Sequence, residues 1–292
     1  MTPQAHPEGL ANDTMGSMKE LRARIESTPW DAWTFRRFGL TPAKLRHRLH
    51  NGGLPKILCI SLPKAGTHMV ERALCLHPRL YRKLRPTIAP GMARWDGLDA
   101  ALGRLRPAEL LVAHLPYDPA YAAVLDRRHV RAICTIRDPR DVVLSQVHFI
   151  VKRRFHPHHA AFAARSSLAE RLELAILGDA SAGIPSIRER LERYAGWLGE
   201  GSLVVRFEDL VGPKGGGTAE QQRRTVEQIY GHVGIDVTPE FVTHVCDELF
   251  SPSSPTFRRG ATGQWRDAFE PRIAELFARE AGSAAAPYGY DV

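Results

Sequence analysis

A lysine and a glycine lie in the turn between an apolar run and a helical pattern. Ile57 to Ile60 predicts a buried strand, and the apolar spacing from Met69 to Leu76 predicts a helix. The turn between them contains Lys64 and Gly66. Backbone N–H groups and the dipole at a helix start attract an anion, and a lysine adds a full positive charge. The segment therefore indicates an anion-binding turn, although a turn with one glycine is also common in α/β proteins that bind no phosphate.

The order of the residues in this turn differs from that in the P-loop of an ATPase. The Walker A pattern G-x-x-x-x-G-K-[ST] has its lysine after the glycine, whereas Lys64 comes before Gly66. A nucleotide-dependent small-molecule kinase would also need a Mg²⁺-binding hydroxyl directly after the lysine, and Ala65 stands there. Such a kinase is the closest rival enzyme class, and these residues disfavour it.

Two further segments carry groups that suit a phosphate. Arg137 follows the apolar run 131–136, and Ser145 lies farther along the helix that Pro139 is placed to open. An arginine fork with a hydroxyl suits a phosphate monoester, whereas an ion pair between Arg137 and a neighbouring aspartate would contribute little. The loop 257–265 adds two arginines and two glycines. Two separate anion sites imply a ligand with two phosphate-like ends.

Composition favours one α/β domain with an anionic ligand. The chain has 292 residues, of which 43% are hydrophobic, and its net charge of +8 is spread without a Lys/Arg block that would demand nucleic acid. No apolar stretch approaches the ~18 residues of a membrane span. Four scattered cysteines form no C-x-x-C pair. We expect a cytoplasmic protein with reduced thiols and no nucleic-acid partner.

Short apolar runs alternate with helical patterns from residue 56 onward. The runs are continuous, which is typical of parallel strands covered on both faces, so they predict an α/β fold with a central parallel sheet flanked by helices. The predicted strands are 56–61, 110–114, 131–136 and 202–206, and the predicted helices are 139–152, 166–177, 186–199 and 219–233.

The ends of the chain differ in composition from this region. Residues 1–17 are polar and predict a disordered tail, and residues 18–50 predict a basic helical extension. Aromatic and basic residues at 30–38 either contact a membrane surface or partner, or pack on the core. The glycine-rich loop 212–217 is interpreted as a flexible link, and the chain is expected to fray from Gly282 on, with a tail at 284–292.

Ligands of doubly wound sheets bind beyond the carboxyl ends of the strands. Lys64 follows the first predicted strand, His114 ends the second, Arg137 follows the third, and Glu208 comes shortly after the fourth. Because parallel strands end at the same edge, these side chains are expected to meet there.

Five segments resemble a sulfotransferase that uses 3′-phosphoadenosine 5′-phosphosulfate (PAPS). They occur in the order of the cytosolic branch of that family and extend from residue 56 to about 270. The segments are PKAGTHM (63–69), AHLPY (113–117), RDPRDVVLS (137–145), VRFEDLVG (205–212) and FRRGATGQW (257–265). The resemblance implies a three-layer P-loop-like fold, a sulfotransferase domain over 51–283, PAPS as cosubstrate and no metal.

The resemblance also implies roles for individual residues. Lys64 would contact the phosphosulfate and stabilise the leaving oxygen, and His114 would be the general base. A hydroxyl or amine of a small-molecule acceptor would attack in line; a carbohydrate or glycolipid acceptor and a non-catalytic nucleotide-binding homologue are the alternatives. The implied cosubstrate-binding residues are Lys64, Ala65, Gly66, Thr67, His68, Met69, Arg137, Ser145, Phe207, Arg258, Arg259 and Gly260.

Several positions depart from the family pattern. Met69 replaces an aromatic residue, Phe207 replaces a tyrosine, and Val112 stands where many cytosolic members have a lysine. Ala65 and His68 leave fewer hydroxyl donors at the phosphosulfate. The sequence names neither the acceptor nor the oligomeric state.

Overall fold

A five-stranded parallel sheet forms the centre of the fold. The computed structural model describes residues 53–82, 87–88, 97–199, 201–249 and 260–291. The strand order is β2-β3-β1-β4-β5, and every pair is parallel. The strands are β1 (Lys56–Ser61), β2 (Tyr81–Arg82), β3 (Glu109–Ala113), β4 (Val130–Ile136) and β5 (Ser202–Arg206). The predicted parallel sheet is confirmed, and the two-residue β2 is an addition that carries too little pattern to be predicted.

Helices cover both faces of the sheet. They are α1 (Thr67–Leu76), α2 (Leu98–Gly103), α3 (Ala120–Arg127), α4 (Pro139–Lys152), α5 (His159–Ala163), α6 (Leu168–Leu177), α7 (Ile187–Tyr194), α8 (Phe207–Leu210), α9 (Ala219–His232), α10 (Pro239–Leu249), α11 (Trp265–Ala268) and α12 (Pro271–Ala285). The central strands β1, β3 and β4 are buried almost throughout, as expected of parallel strands between two helical layers. Within the described ranges, no helix has the length and apolar content to cross a membrane.

Capping side chains explain where the long helices begin. Asp138 accepts a hydrogen bond from the Arg140 N–H at the start of α4, and Pro139 occupies the first helical position. Ser186 and Glu189 form a capping box at the start of α7. The predicted helix 186–199 is shorter than expected, because α7 ends at Tyr194 and a 3₁₀ turn over Ala195–Leu198 follows.

The end of the chain is packed on the domain. The prediction that it frays from Gly282 was wrong: α12 continues to Ala285, and a 3₁₀ turn follows it. Tyr288 and Tyr290 are both buried, and the Tyr290 hydroxyl donates to Glu208 Oε2 at 2.7 Å. Two tyrosines that bury their rings and bond their hydroxyls anchor a segment whose small residues suggested disorder.

The strand order fixes where a ligand can bind. The chain passes from β1 outward to β2 and back to β3, then crosses over to β4 on the other side of β1. The topological switch point is therefore between β1 and β4, and the crevice beyond their carboxyl ends is the expected binding position. The turns after these two strands carry Lys64 and Arg137.

Candidate active site

The turn after β1 has an unusual backbone. Lys64 has φ of +80° and Gly66 has φ of +102°, and the Ala65 N–H donates to the Leu62 carbonyl at 3.1 Å. A lysine in the left-handed region is uncommon and carries strain that the surrounding structure must hold. This backbone conformation places Lys64 shortly before the start of α1, at the edge of the sheet.

Among the described residues, no side chain caps the start of α1. Gly66 is the N-cap residue and makes no side-chain hydrogen bond, and the first turn contains no acidic residue. The Met69 N–H donates to the Gly66 carbonyl at 2.9 Å. The N–H groups of Thr67 and His68 precede it and have no acceptor within the helix, so this start combines backbone donors with the positive end of the helix dipole. The geometry suits an anion such as a phosphate or sulfate.

The ring of Phe207 joins this turn to Arg137. A β-carbon at Gly66 would stand 2.5 Å from Cδ2 of Phe207, so the ring approaches the glycine backbone closely. The Arg137 guanidinium carbon lies 4.3 Å from the centre of the same ring. The two predicted anion-binding elements are thus brought together at one aromatic side chain.

Lys64 lies among other cations. Its Nζ atom is 4.0 Å from the centre of the Phe149 ring, and the Arg153 guanidinium carbon is 4.6 Å from that centre. Burial and, to a smaller extent, the charges of Arg153 and Arg137 lower the pKa of Lys64 to about 8. The Lys64 amine therefore loses its proton at a lower pH than an exposed lysine does.

A backbone carbonyl orients the imidazole of His114. Its Nδ1 atom lies 2.9 Å from the Ser61 carbonyl oxygen, which only accepts hydrogen bonds, so Nδ1 carries the proton and Nε2 keeps a lone pair. The His114 N–H donates to the Ile88 carbonyl at 2.7 Å, which fixes the backbone beside the end of β3. Burial lowers the pKa of the imidazole, and the hydrogen bond to Ser61 opposes this shift only in part.

Arg137 and the segment 260–265 share one buried carboxylate. Asp141 accepts hydrogen bonds from the Gly263 N–H at 2.8 Å and the Trp265 N–H at 3.0 Å, and its Oδ2 atom is 3.5 Å from Nη2 of Arg137. Arg137 also donates to the Ala261 carbonyl at 2.9 Å. The pair of Arg137 with Asp141 thus exists, but it is buried and organises the site.

Asp138 extends this network. It forms two hydrogen bonds of 2.9 Å with the Arg140 guanidinium and accepts one from the Trp265 indole at 3.1 Å. The Asp138 N–H donates to Glu208 Oε1 at 2.9 Å. Sequence reasoning missed Asp138, Asp141 and Trp265 as organising residues, although two aspartates around the helix start in RDPRD were the available signal.

The glycine-rich loop 212–217 supports the same segment. The Gly215 carbonyl accepts the Thr262 N–H at 2.8 Å, and Gly212 and Gly215 are buried. The interpretation of this loop as a flexible link was wrong, because its glycines allow the backbone of the 260–262 segment to pack against it.

The other predicted site residues have mixed placements. The Thr67 hydroxyl contacts the Ser61 hydroxyl, and the His68 ring hydrogen-bonds Glu71 at 3.0 Å. Met69 and Ser145 are half-buried on α1 and α4, and Gly260 lies at the start of the segment beside Arg137. Arg258 and Arg259 lie outside the described residues, as does the aromatic and basic cluster at 30–38.

One buried arginine was not singled out from the sequence. Arg190 on α7 is 7% exposed, and its Nη2 atom donates to the Pro63 carbonyl at 3.3 Å. Its Nη1 atom contacts the side-chain oxygen of Gln146. Burial lowers the pKa of this guanidinium to about 10, while the neighbouring Tyr194 opposes the shift.

Comparison with known families identifies the domain. The sulfotransferase domain model matches residues 54–283. The chain belongs to the sulfotransferase family. Comparison with curated proteins found no match in sequence.

Three solved structures share the fold of this chain. A mouse sulfotransferase in complex with adenosine 3′,5′-bisphosphate (PAP) superposes with a TM-score of 0.58 at 18% identity. The match covers 81% of this chain and 89% of that one. A retinol dehydratase in complex with androsterone and the inactive cofactor PAP gives a TM-score of 0.52 at 16% identity, over 84% and 86%. The same enzyme with retinol and PAP gives 0.51 at 16% identity, over 84% and 86%. These likenesses confirm the predicted P-loop-like fold of this sulfotransferase domain.

Proposed function

We propose that the chain transfers the sulfuryl group of PAPS to a hydroxyl or amine of a small-molecule acceptor, with His114 as general base. The observation that carries the proposal is the hydrogen bond from His114 Nδ1 to the Ser61 carbonyl, at 2.9 Å. It leaves an unprotonated Nε2 atom beside the turn that carries Lys64. Transfer of an anionic group to a neutral acceptor requires a base that takes the acceptor's proton and a cationic site that binds the anion.

The residues present fit the two ends of PAPS. At the sheet edge, the uncapped start of α1 and Lys64 suit the 5′-phosphosulfate. Arg137 suits the 3′-phosphate: its Nε atom is buried, and no described group bonds it, so a donor is left for a ligand. Ser145, Gly260 and the arginines at 258 and 259 would complete that end. Phe207 would hold the two parts at a fixed separation.

PAPS supplies an activated sulfuryl group when it is bound. His114 would take the proton from the acceptor hydroxyl at Nε2, while the Ser61 carbonyl holds Nδ1–H and the ring orientation. Lys64 and the backbone donors of α1 would bind the phosphate oxygen on which negative charge grows. The low pKa of His114 keeps the ring neutral near pH 7, as a base must be.

The acceptor would bind beside α4 and the segment after it. Phe149 and Arg153 lie next to Lys64 there. The similar retinol dehydratase has been crystallised with retinol and with androsterone, which favours a small hydroxylated acceptor. A carbohydrate or glycolipid acceptor is the second candidate, favoured by the exposed cations Lys152 to Arg154. A homologue that binds the nucleotide without turnover is the third.

Calorimetric titration with adenosine 3′,5′-bisphosphate (PAP) tests the cosubstrate directly. We expect binding that depends on the 3′-phosphate, so that PAP binds more tightly than 5′-AMP and the difference collapses in Arg137→Ala. Equal affinity for both nucleotides would contradict the proposal. A screen of phenols, alcohols, sterols and sugars with radiolabelled PAPS then identifies the acceptor, and binding without any turnover would favour the non-catalytic homologue.

A further inference from the structure

Arg190 is a buried cation without an acidic partner among the described residues. It is 7% exposed, and no carboxylate there lies within ion-pair distance. The nearest acids along α7 are engaged elsewhere: Glu189 bonds Ser186 in the capping box, and Glu192 is 3.9 Å from Arg188. A buried charge is costly without a counter-charge or a full set of hydrogen bonds. The cost of burying the Arg190 charge therefore needs an explanation.

The two contacts of Arg190 connect the turn after β1 with helix α4. The Pro63 carbonyl, which accepts from Nη2 at 3.3 Å, belongs to the residue directly before Lys64. Gln146, whose side-chain oxygen accepts from Nη1, directly follows Ser145 on α4. One rigid guanidinium thus joins the strained turn after β1 to the helix that carries Ser145.

We propose that Arg190 is a positioning residue that fixes the Lys64 turn against α4 and whose uncompensated charge favours an anion at the start of α1. The inference rests on the proposed function, because the anion in question is the 5′ end of PAPS. Both of its described acceptors are neutral, so an anion at the start of α1, beside the Pro63–Lys64 turn, would supply the missing counter-charge. The charge of Arg190 also contributes to the lowered pKa of His114, which places it within electrostatic reach of that ring.

Binding of three nucleotides to the full chain tests this role. PAP, 5′-AMP and adenosine 3′-monophosphate are titrated into the wild type, Arg190→Met and Arg193→Met by calorimetry. Arg193 is exposed on the same helix and makes no ion pair with a described residue, so it is a matched control. We expect Arg190→Met to weaken PAP and 5′-AMP binding about tenfold, the size of effect that a residue without direct ligand contact can exert on a nearby site. Adenosine 3′-monophosphate, which lacks the 5′ group, should lose less than about threefold, because Arg137 is held by Asp141 and the Ala261 carbonyl and not by Arg190.

Two further variants distinguish the effect of the Arg190 charge from the effect of its two hydrogen bonds. They also test the proposal if Arg190→Met does not fold. Arg190→Lys keeps the charge but loses the two-armed contact, and Gln146→Leu removes one acceptor at similar volume. Both should fall between the wild type and Arg190→Met in affinity for PAP, and each should weaken adenosine 3′-monophosphate less than it weakens PAP.

Two results would overturn the inference while PAP still binds the wild type. One is a loss in Arg190→Met no larger than in Arg193→Met. The other is equal losses for PAP and adenosine 3′-monophosphate in the folded Arg190 variants, which would indicate general distortion. Absence of PAP binding to the wild type would instead overturn the proposed function, and this inference with it.

Discussion

The ring of Phe207 contacts the backbone of Gly66 so closely that a β-carbon there would stand 2.5 Å from Cδ2. The same ring lies 4.3 Å below the Arg137 guanidinium. The turn after β1 and the start of α4 are therefore held at one distance by a single aromatic side chain. For a ligand with anionic groups at both ends, that distance sets which ligands fit.

Gly66→Ala should damage both stability and nucleotide binding. Alanine at φ of +102° is strained, and its β-carbon would displace Phe207. We expect a loss of about 2–5 kcal/mol in the free energy of unfolding, the sum of left-handed strain and overpacking. Gly53 has φ of +108°, and a β-carbon there would meet no atom within 4 Å, so Gly53→Ala is the control for strain alone. Urea unfolding and PAP titration of both variants measure the difference, and equal losses would contradict the role of Phe207.

His114→Asn should separate catalysis from cosubstrate binding. The asparagine amide can still donate to the Ser61 carbonyl, but no atom replaces Nε2. We expect kcat to fall by about 10²–10⁴-fold, the usual contribution of a general base, with PAP affinity unchanged. Single-turnover sulfation with labelled PAPS measures the rate once an acceptor is identified. A variant with wild-type kcat would exclude His114 as the base.

The lowered pKa of His114 also predicts a pH dependence of stability. A histidine whose pKa is lower in the folded state makes its full contribution to the free energy of unfolding above the unfolded-state pKa of about 6.5. This contribution is lost as the pH falls through the folded-state pKa. The free energy of unfolding should therefore fall more steeply on acidification in the wild type than in His114→Asn. His156 and His232, whose pKa values are also lowered by burial, contribute equally to both proteins and cancel in the comparison. Parallel acid dependences would contradict the assignment.

The sequence indicated the sheet and the location of the site, but not how the site is held. Continuous apolar runs predicted four of the five strands, and the ligand rule for parallel sheets placed Lys64, His114 and Arg137 at one edge. Asp141 and Arg190 were missed, because nothing local distinguishes a buried charge from a solvated one. Their burial depends on contacts more than 100 residues away, to Gly263 and Pro63. The tyrosines at the chain end were missed for the same reason.

Asp141→Asn should loosen the segment 260–265. The substitution leaves Arg137 without its buried counter-charge and turns one acceptor of the Gly263 and Trp265 N–H groups into a donor. Breaking such a buried pair should lower the free energy of unfolding by about 3 kcal/mol, and PAP affinity should fall with it. Asp267→Asn, an exposed change on α11, should stay within about 0.5 kcal/mol of the wild type. Urea unfolding of both variants decides whether Asp141 has this role.

Lys64 should take up a proton when the nucleotide binds near pH 8. Its pKa in the free protein is about 8, so about half of the molecules carry a neutral amine at that pH. The phosphates of PAP favour the charged form and raise the pKa, whereas the phosphates themselves are already fully ionised there. Affinity should therefore fall as the pH rises through about 8, and titrations in buffers of different ionisation enthalpy should detect up to about half a proton bound per PAP. Lys64→Met should bind PAP weakly and without proton uptake, while Arg153→Gln should raise the pKa of Lys64 and reduce the uptake. Uptake that persists in Lys64→Met would assign the proton to another group.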